Sequence, residues 1–202
     1  MTVDHTNDLS AALAFAHEAL LAAAGRRASP ARLLTLATVG LDGSPQARTV
    51  MMRAFQAEIH ALTIHTDART PKVAEMRRTP GAQCVFWDKS RELQLRLSGK
   101  VSVHAGDDLA RRAWEDVDLA SRFSYLTGRP PGQEIEKPSS GREGVDGRLP
   151  SRDESVVGWD NFAVLVLKLK AIDWVLLDNT GHRRAHFTFD DQGLATATWL
   201  IP

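Results

Sequence analysis

Between Leu33 and Arg53 (LLTLATVGLDGSPQARTVMMR) the apolar positions fall into two short runs around Gly40-Leu41-Asp42-Gly43. Thr, Val and Leu suit a half-buried sheet, and the glycines supply the positive φ angles of a tight turn, so the pattern predicts a β-hairpin. Its second strand carries Arg48 and Arg53 inside an apolar run, and the remaining elements are organised around that strand. Glu58–Thr66 (EIHALTIHT) alternates as a third strand. Thr70-Pro71-Lys72 then starts a short helix, with Thr70 as N-cap and Pro71 at the first helical position, running to about Arg78 before Pro80 ends it. Gly81–Trp87 (GAQCVFW) reads as a buried strand and Glu92–His104 (ELQLRLSGKVSVH) as a long alternating one. There Leu93, Leu95 and Leu97 face one side, Gln94 and Arg96 the other, and Gly99 sits where a barrel strand bends sharply.

Upstream, Leu9–Gly25 (LSAALAFAHEALLAAAG) reads as an amphipathic helix capped by Asp8 or Ser10, with Leu13, Ala16, Leu20, Leu21 and Ala24 near helical spacing. It lacks the basic flank of a signal peptide, and His17 and Glu18 interrupt the apolar run a membrane span needs. Downstream, Asp107 and Asp108 open a helical stretch continuing to about Tyr125. Residues 127–160 are rich in Gly, Pro, Ser and charge and read as a long loop inside the domain, a mobile segment or a functional cover. Strands return at Phe162–Lys170, Ile172–Asp178 and His182–Asp190, with a last strand running to Pro202, separated by turns at Asn179-Thr180-Gly181 and Asp191-Gln192-Gly193. Many antiparallel strands and few helices predict a mainly β fold with helices, a closed or partly closed β-barrel, as one domain over residues 1–202.

Composition narrows the function. Twenty-five basic and twenty-five acidic residues balance, with no basic block, which disfavours nucleic acid as a partner. One cysteine, Cys84, excludes an internal disulfide and a Cys-based metal cage, in keeping with a cytoplasmic protein. His182 and His186 can share a strand face, but no carboxylate or cysteine completes a metal set, and His60 and His65 lie on opposite faces. No nucleophile elbow, Walker loop or dinucleotide fingerprint is present.

Four features can meet a ligand. Arg48 and Arg53 are five residues apart, so alternation sets them on opposite faces unless the strand bulges; two surface arginines are the plain alternative. His65-Thr66 leading into Thr70-Pro71-Lys72 combines a helix start with a lysine charge, which suits an anion as well as an ordinary capped helix. Gln94 offers an amide to a planar heterocycle, though polar alternation alone predicts some such residue. Tyr125 and Arg129 stand four apart at the mouth of the long loop, able to hold a second anion or simply to end a helix.

Taken in order, these pieces resemble the pyridoxamine 5'-phosphate oxidase family and its FMN-binding split-barrel relatives. ARTVMMR resembles the family's R-x-V-L-L-K strand, IHTDARTPK its F-Y-T-N-x-x-S-R-K segment, and RELQLRLSGK its R-Q-V-R-V-x-G-K strand. AIDWVLLD resembles I-E-F-W, and WLIP takes the place of R-L-A-P. The resemblance implies an FMN split β-barrel and an FMN-dependent oxidoreductase, active as a homodimer with FMN at the subunit interface and oxygen reoxidising the flavin. It implies that Arg48 and Lys72 hold the FMN phosphate with Thr66 and Thr70, and that the backbone of Thr49, Val50, Met51 and Met52 lines the ring. Arg53, His65, Gln94, Trp174 and His186 fall at other cofactor positions, and Ser139 resembles a serine reaching from the partner. Arg53, Tyr125, Arg129, His182 and Arg184 fall at substrate positions.

The departures concern the substrate more than the cofactor. Arg53 replaces a lysine, His65 a tyrosine and Pro71 a phosphate-binding base; the R-x-H motif reads His182-Arg183-Arg184, His186 replaces a flavin-binding arginine, and Trp199 replaces the arginine of R-L-A-P. Loss of arginine where bidentate contacts are needed predicts that pyridoxamine phosphate is a poor substrate. A flavin carrier or redox sensor without turnover, and a nicotinamide-dependent flavin reductase, stay open as alternatives.

Overall fold

The Leu33–Arg53 hairpin forms two walls of a barrel in the computed structural model, which describes residues 4–26, 28–142 and 148–202. Strands β1 (Leu33–Val39) and β2 (Pro45–Gln56) pair with Leu36 opposite Arg48, and Gly43 takes the left-handed φ of 85° that the turn requires. They are followed by β3 (Ala61–Asp67), β4 (Gly81–Asp88), β5 (Leu93–His104), β6 (Phe162–Leu176), β7 (Arg183–Asp190) and β8 (Gly193–Leu200). The antiparallel order is β3-β2-β1-β4-β5-β6-β7-β8, and β3 also pairs with β6, closing the first six strands into a barrel.

One strand explains how the barrel is both closed and extended. β6 is 15 residues long; its first half pairs with β3 from Phe162 to Lys168, and its second half pairs with β7 from Ala171 to Leu176. The bend falls where the β5–β6 register slips between Ser98 and Gly99. A Cβ on Gly99 would lie 2.1 Å from the Lys168 carbonyl oxygen, so only glycine allows the two backbones to approach. Inward-facing Leu34, Leu36, Met52, Phe86, Leu93, Leu95, Leu97, Ile172, Trp174 and Phe187 fill the core. Helix α1 (Leu9–Gly25) packs on β2, β7 and β8, its start capped by Asp8, which accepts from the Ala11 N–H at 2.7 Å.

Several boundaries differ from the sequence reading. The stripe α1 buries runs through Ala12, Ala16, Ala19, Leu20 and Ala23, mostly alanines that permit close approach, while Leu21 turns to solvent. β3 begins at Ala61, not Glu58, because Ala57–Ile59 forms a 3-10 turn and His60 takes a left-handed φ of 49°. After helix α2 (Pro71–Arg78), the helix opening at Asp108 stops at Asp116 (α3) and does not run on to Tyr125. Asp118 caps a fresh turn, α4 (Leu119–Arg122), by accepting from the Ser121 N–H at 2.7 Å, and a 3-10 turn spans Phe123–Tyr125. Ile172 continues β6 instead of starting a new strand. Within the expected loop, α5 (Arg152–Ser155) and a 3-10 turn (Val156–Asn161) form behind a Ser151/Glu154 capping box, and its residues 143–147 lie outside the described residues.

The helical segment after β5 covers the outside of β6, where Ala110, Trp114, Val117, Tyr125, Phe162 and Val164 form a second apolar cluster. Among the described residues no helix is long and apolar enough to cross a membrane.

Candidate functional site

The turn from β3 into α2 gathers the first group. Lys72 donates to the Thr66 hydroxyl at 3.0 Å and the Thr70 hydroxyl at 3.1 Å. Thr70 precedes Pro71 but makes no side-chain cap, its hydroxyl donating instead to the Asp67 carbonyl at 2.7 Å. From β2, Arg48 Nη2 meets Glu75 Oε2 at 2.8 Å, while Nη1 donates to Thr38 Oγ1. Thr38 in turn donates to the same Glu75 oxygen at 2.6 Å. Burial holds the Lys72 pKa below the usual lysine value and the Arg48 charge lowers it further, against the pull of Asp67 and Glu75. The two cations thus lie within electrostatic reach of each other. An ammonium has three N–H donors and a guanidinium five, so each retains donors beyond the two bonds it makes here.

Arg53 joins a different group. The β2–β3 register moves from Met52 opposite Ile64 to Ala54 opposite Thr63, leaving Arg53 as the extra residue of a β-bulge. Its charge acts on His65 and Tyr125. Burial first, then Arg53, pushes the His65 pKa down to about 4, and burial raises Tyr125 to about 12, so His65 is neutral and Tyr125 protonated at physiological pH. Both rings stand edge-on to Phe162, at 5.0 and 5.1 Å. Among the described residues Arg53 Nε and His65 Nδ1 are buried with no hydrogen-bond partner, an arrangement that favours a polar ligand.

A third group occupies the outer face of the extended sheet. Gln94, Val175 and Arg184 form one cross-strand row, and Arg96, Asp173 and His186 the next. Asp173 takes hydrogen bonds from Arg96 and from Arg184 Nη2, the latter at 2.8 Å. Burial works against its ionisation, but the two arginines outweigh burial and keep its carboxyl below the usual range. Trp174 projects to the other face, fully buried, 6.2 Å from Trp199 ring to ring. Thr49 and Met51 are exposed while Val50 and Met52 point into the core.

The remaining residues are more dispersed. Arg129 and Ser139 lie on the 127–141 segment, which curls around a cavity of 820 Å³, and Ser139 accepts from the Gly141 N–H. Arg69 ties the root of that segment to β3, meeting Asp67 at 2.7 Å and the Thr127 carbonyl at 3.0 Å. His182 precedes β7 and accepts from the Asp178 N–H at 3.1 Å; with Arg184 and Trp199 it lines a cavity of 320 Å³. Among the described residues no group of three or more His, Cys, Asp or Glu is placed to hold a metal.

The sequence reading missed Thr38 and Glu75. Glu75 had a local signal, since it lies one helical turn beyond Lys72. Thr38 had none, because its place beside Arg48 depends on the hairpin register.

Comparison with known proteins bears on all three groups. The family model for the pyridoxamine 5'-phosphate oxidase FMN-binding domain matches residues 15–105, a span holding Arg48, Arg53, His65, Lys72 and Gln94. Pyridoxine/pyridoxamine 5'-phosphate oxidase 2 of Arabidopsis thaliana is 25% identical over 174 residues, 81% of this chain and 82% of that protein. The pyridoxine/pyridoxamine 5'-phosphate oxidase of Chromohalobacter salexigens is 28% identical over 177 residues, covering 85% and 80%. A solved structure from Nostoc punctiforme, described as a pyridoxamine 5'-phosphate oxidase-related, FMN binding protein, superposes with a TM-score of 0.76 at 25% identity, covering 95% of this chain and 96% of that one.

Proposed function

Because this chain belongs to the pyridoxamine 5'-phosphate oxidase-like, FMN-binding split-barrel family, we propose that it is an FMN-dependent oxidoreductase that works as a homodimer in the cytoplasm, with FMN between subunits. One observation carries the reading. A half-buried lysine, hydrogen-bonded to two threonine hydroxyls at the start of a helix, lies within electrostatic reach of an arginine, and both keep donors to spare. Such a pair of cations matches a phosphate monoester, which brings two negative charges and several acceptor oxygens.

In this reading Arg48, Lys72, Thr66 and Thr70 hold the phosphate, the exposed edge of β2 at Thr49 and Met51 borders the ring, and Gln94 hydrogen-bonds its polar rim. Arg53, neutral His65 and protonated Tyr125 supply one charge and two uncharged hydrogen-bonding groups to the substrate. His186, Ser139, Arg129, His182 and Arg184 lie on surfaces that a second subunit can complete. Trp174 packs the core on the face opposite Gln94, so we leave it out of the flavin contacts. FMN when bound supplies the two-electron chemistry, and the side chains bind, orient and exclude water without acting as nucleophiles. Oxygen is the proposed electron acceptor, giving hydrogen peroxide.

The reading is tested by purifying the protein, releasing its flavin by denaturation and identifying it as FMN. Anaerobic bleaching against pyridoxamine phosphate, reduced nicotinamides and small amines then sorts the substrate class. Pyridoxamine phosphate is expected to bleach the flavin slowly, because His182, His186 and Trp199 stand where the family carries arginines. A colourless protein that does not bind added FMN defeats the proposal.

A further inference from the structure

We propose that Glu75 is a positioning residue for the cofactor phosphate, acting through Arg48; this rests on the FMN reading above. The side chain is 5% exposed and lies on α2 one turn past Lys72, so the helix that contributes the ammonium also sends a carboxylate back toward β1 and β2. A single oxygen, Oε2, receives both Arg48 Nη2 at 2.8 Å and the Thr38 hydroxyl at 2.6 Å, and Thr38 also accepts from Arg48 Nη1. The guanidinium is therefore fixed at both terminal nitrogens, its plane set by one strand and one helix. Its Nε–H and the outer N–H of each terminal nitrogen are left for a ligand.

Charge alone argues against this residue. A carboxylate near Arg48 and Lys72 leaves the three groups one net positive charge and repels an incoming phosphate. Its role is geometric. An arginine side chain has many rotamers, and fixing it before the ligand arrives removes an ordering cost from binding. The carboxylate also accepts from Thr38, whose buried hydroxyl would otherwise lack this acceptor.

The test titrates apo-protein with FMN and with riboflavin, which lacks the phosphate, for wild type, Glu75→Ala, Glu75→Gln and Thr38→Val. Positioning predicts that Glu75→Ala weakens FMN by about 10- to 100-fold, the worth of a charge-assisted contact, while riboflavin binding stays within about twofold. Glu75→Gln keeps an acceptor oxygen for both bonds and is expected to restore FMN affinity to within about threefold of wild type. Thr38→Val, which leaves the ion pair intact, should show a smaller loss confined to FMN and decides the matter if Glu75→Ala does not fold. Tighter FMN binding by Glu75→Ala would show that repulsion governs and overturn the proposal. So would equal losses for FMN and riboflavin, or unchanged FMN affinity in both Glu75→Ala and Thr38→Val. Wild type that binds no FMN refutes the cofactor reading itself, an outcome separate from these.

Discussion

Replacing Lys72 with methionine keeps most of the side-chain stem and removes the charge, and it should move ligand affinity and stability in opposite directions. The ammonium spends two of its three donors on Thr66 and Thr70, at 3.0 and 3.1 Å, so the phosphate loses one charge-assisted hydrogen bond in the variant. Such a bond is worth roughly 1–3 kcal/mol, which is about 5- to 150-fold in Kd. Stability runs the other way. Burial and Arg48 depress the Lys72 pKa from 10.5, so between the depressed value and 10.5 the unfolded chain binds more protons than the folded one. Stability of the apo-protein therefore rises with pH through that window, and at neutral pH the buried ammonium is a net cost to folding. The variant should melt no lower than wild type and lack this alkaline gain, while fluorescence titration shows weaker FMN binding. Wild-type FMN affinity should also fall at alkaline pH as Lys72 loses its proton, a limb absent from the variant. An unchanged Kd, or a weaker Kd accompanied by a large fall in melting temperature, would refute the reasoning.

Three other perturbations probe the frame. Gly99→Ala would place a methyl group 2.1 Å from the Lys168 carbonyl and should cost roughly 3 kcal/mol or more, read as a lower thermal midpoint; a wild-type midpoint would show that the β5–β6 contact relaxes freely. Burial, then His60, pushes the His17 pKa down from 6.5 to about 4, so stability should decline as pH falls through that interval, and His17→Leu should flatten the decline in acid titrations followed by circular dichroism. Burial also drives the Cys84 thiol up to about 12, so a thiol reagent should label it only after unfolding, and rapid labelling of native protein would contradict the packing.

The elements of the site were legible in the chain, and their grouping was less so. The hairpin, the Thr70-Pro71-Lys72 helix start and the alternation of Leu93, Leu95 and Leu97 rest on turn chemistry and side-chain period, which neighbouring residues carry. Arg48 was therefore placed on a strand, Lys72 at a helix start and Gly99 at a bend from sequence, while the role of the two cations toward a phosphate came from the family resemblance alone. The resemblance implied Arg53 with His65 and Tyr125, but alternation alone could not group them, because a one-residue bulge decides which way that arginine turns. The helix expected to reach Tyr125 stops at Asp116 instead, Asp118 accepts from the Ser121 amide to start a new turn, and Tyr125 packs on Phe162.

Local order thus came from residues close along the chain: strands, turns, caps and the basic character of β2. The folded molecule alone set the register between strands far apart in sequence. That register puts Trp174 beside Leu95 in the core and Gln94 beside Val175 on the outer face, and it brings Thr38, Arg48 and Glu75 to one oxygen. Slipping a strand by one residue exchanges its buried and exposed faces, so the choice is made by the packing of the whole barrel interior, which no short segment contains.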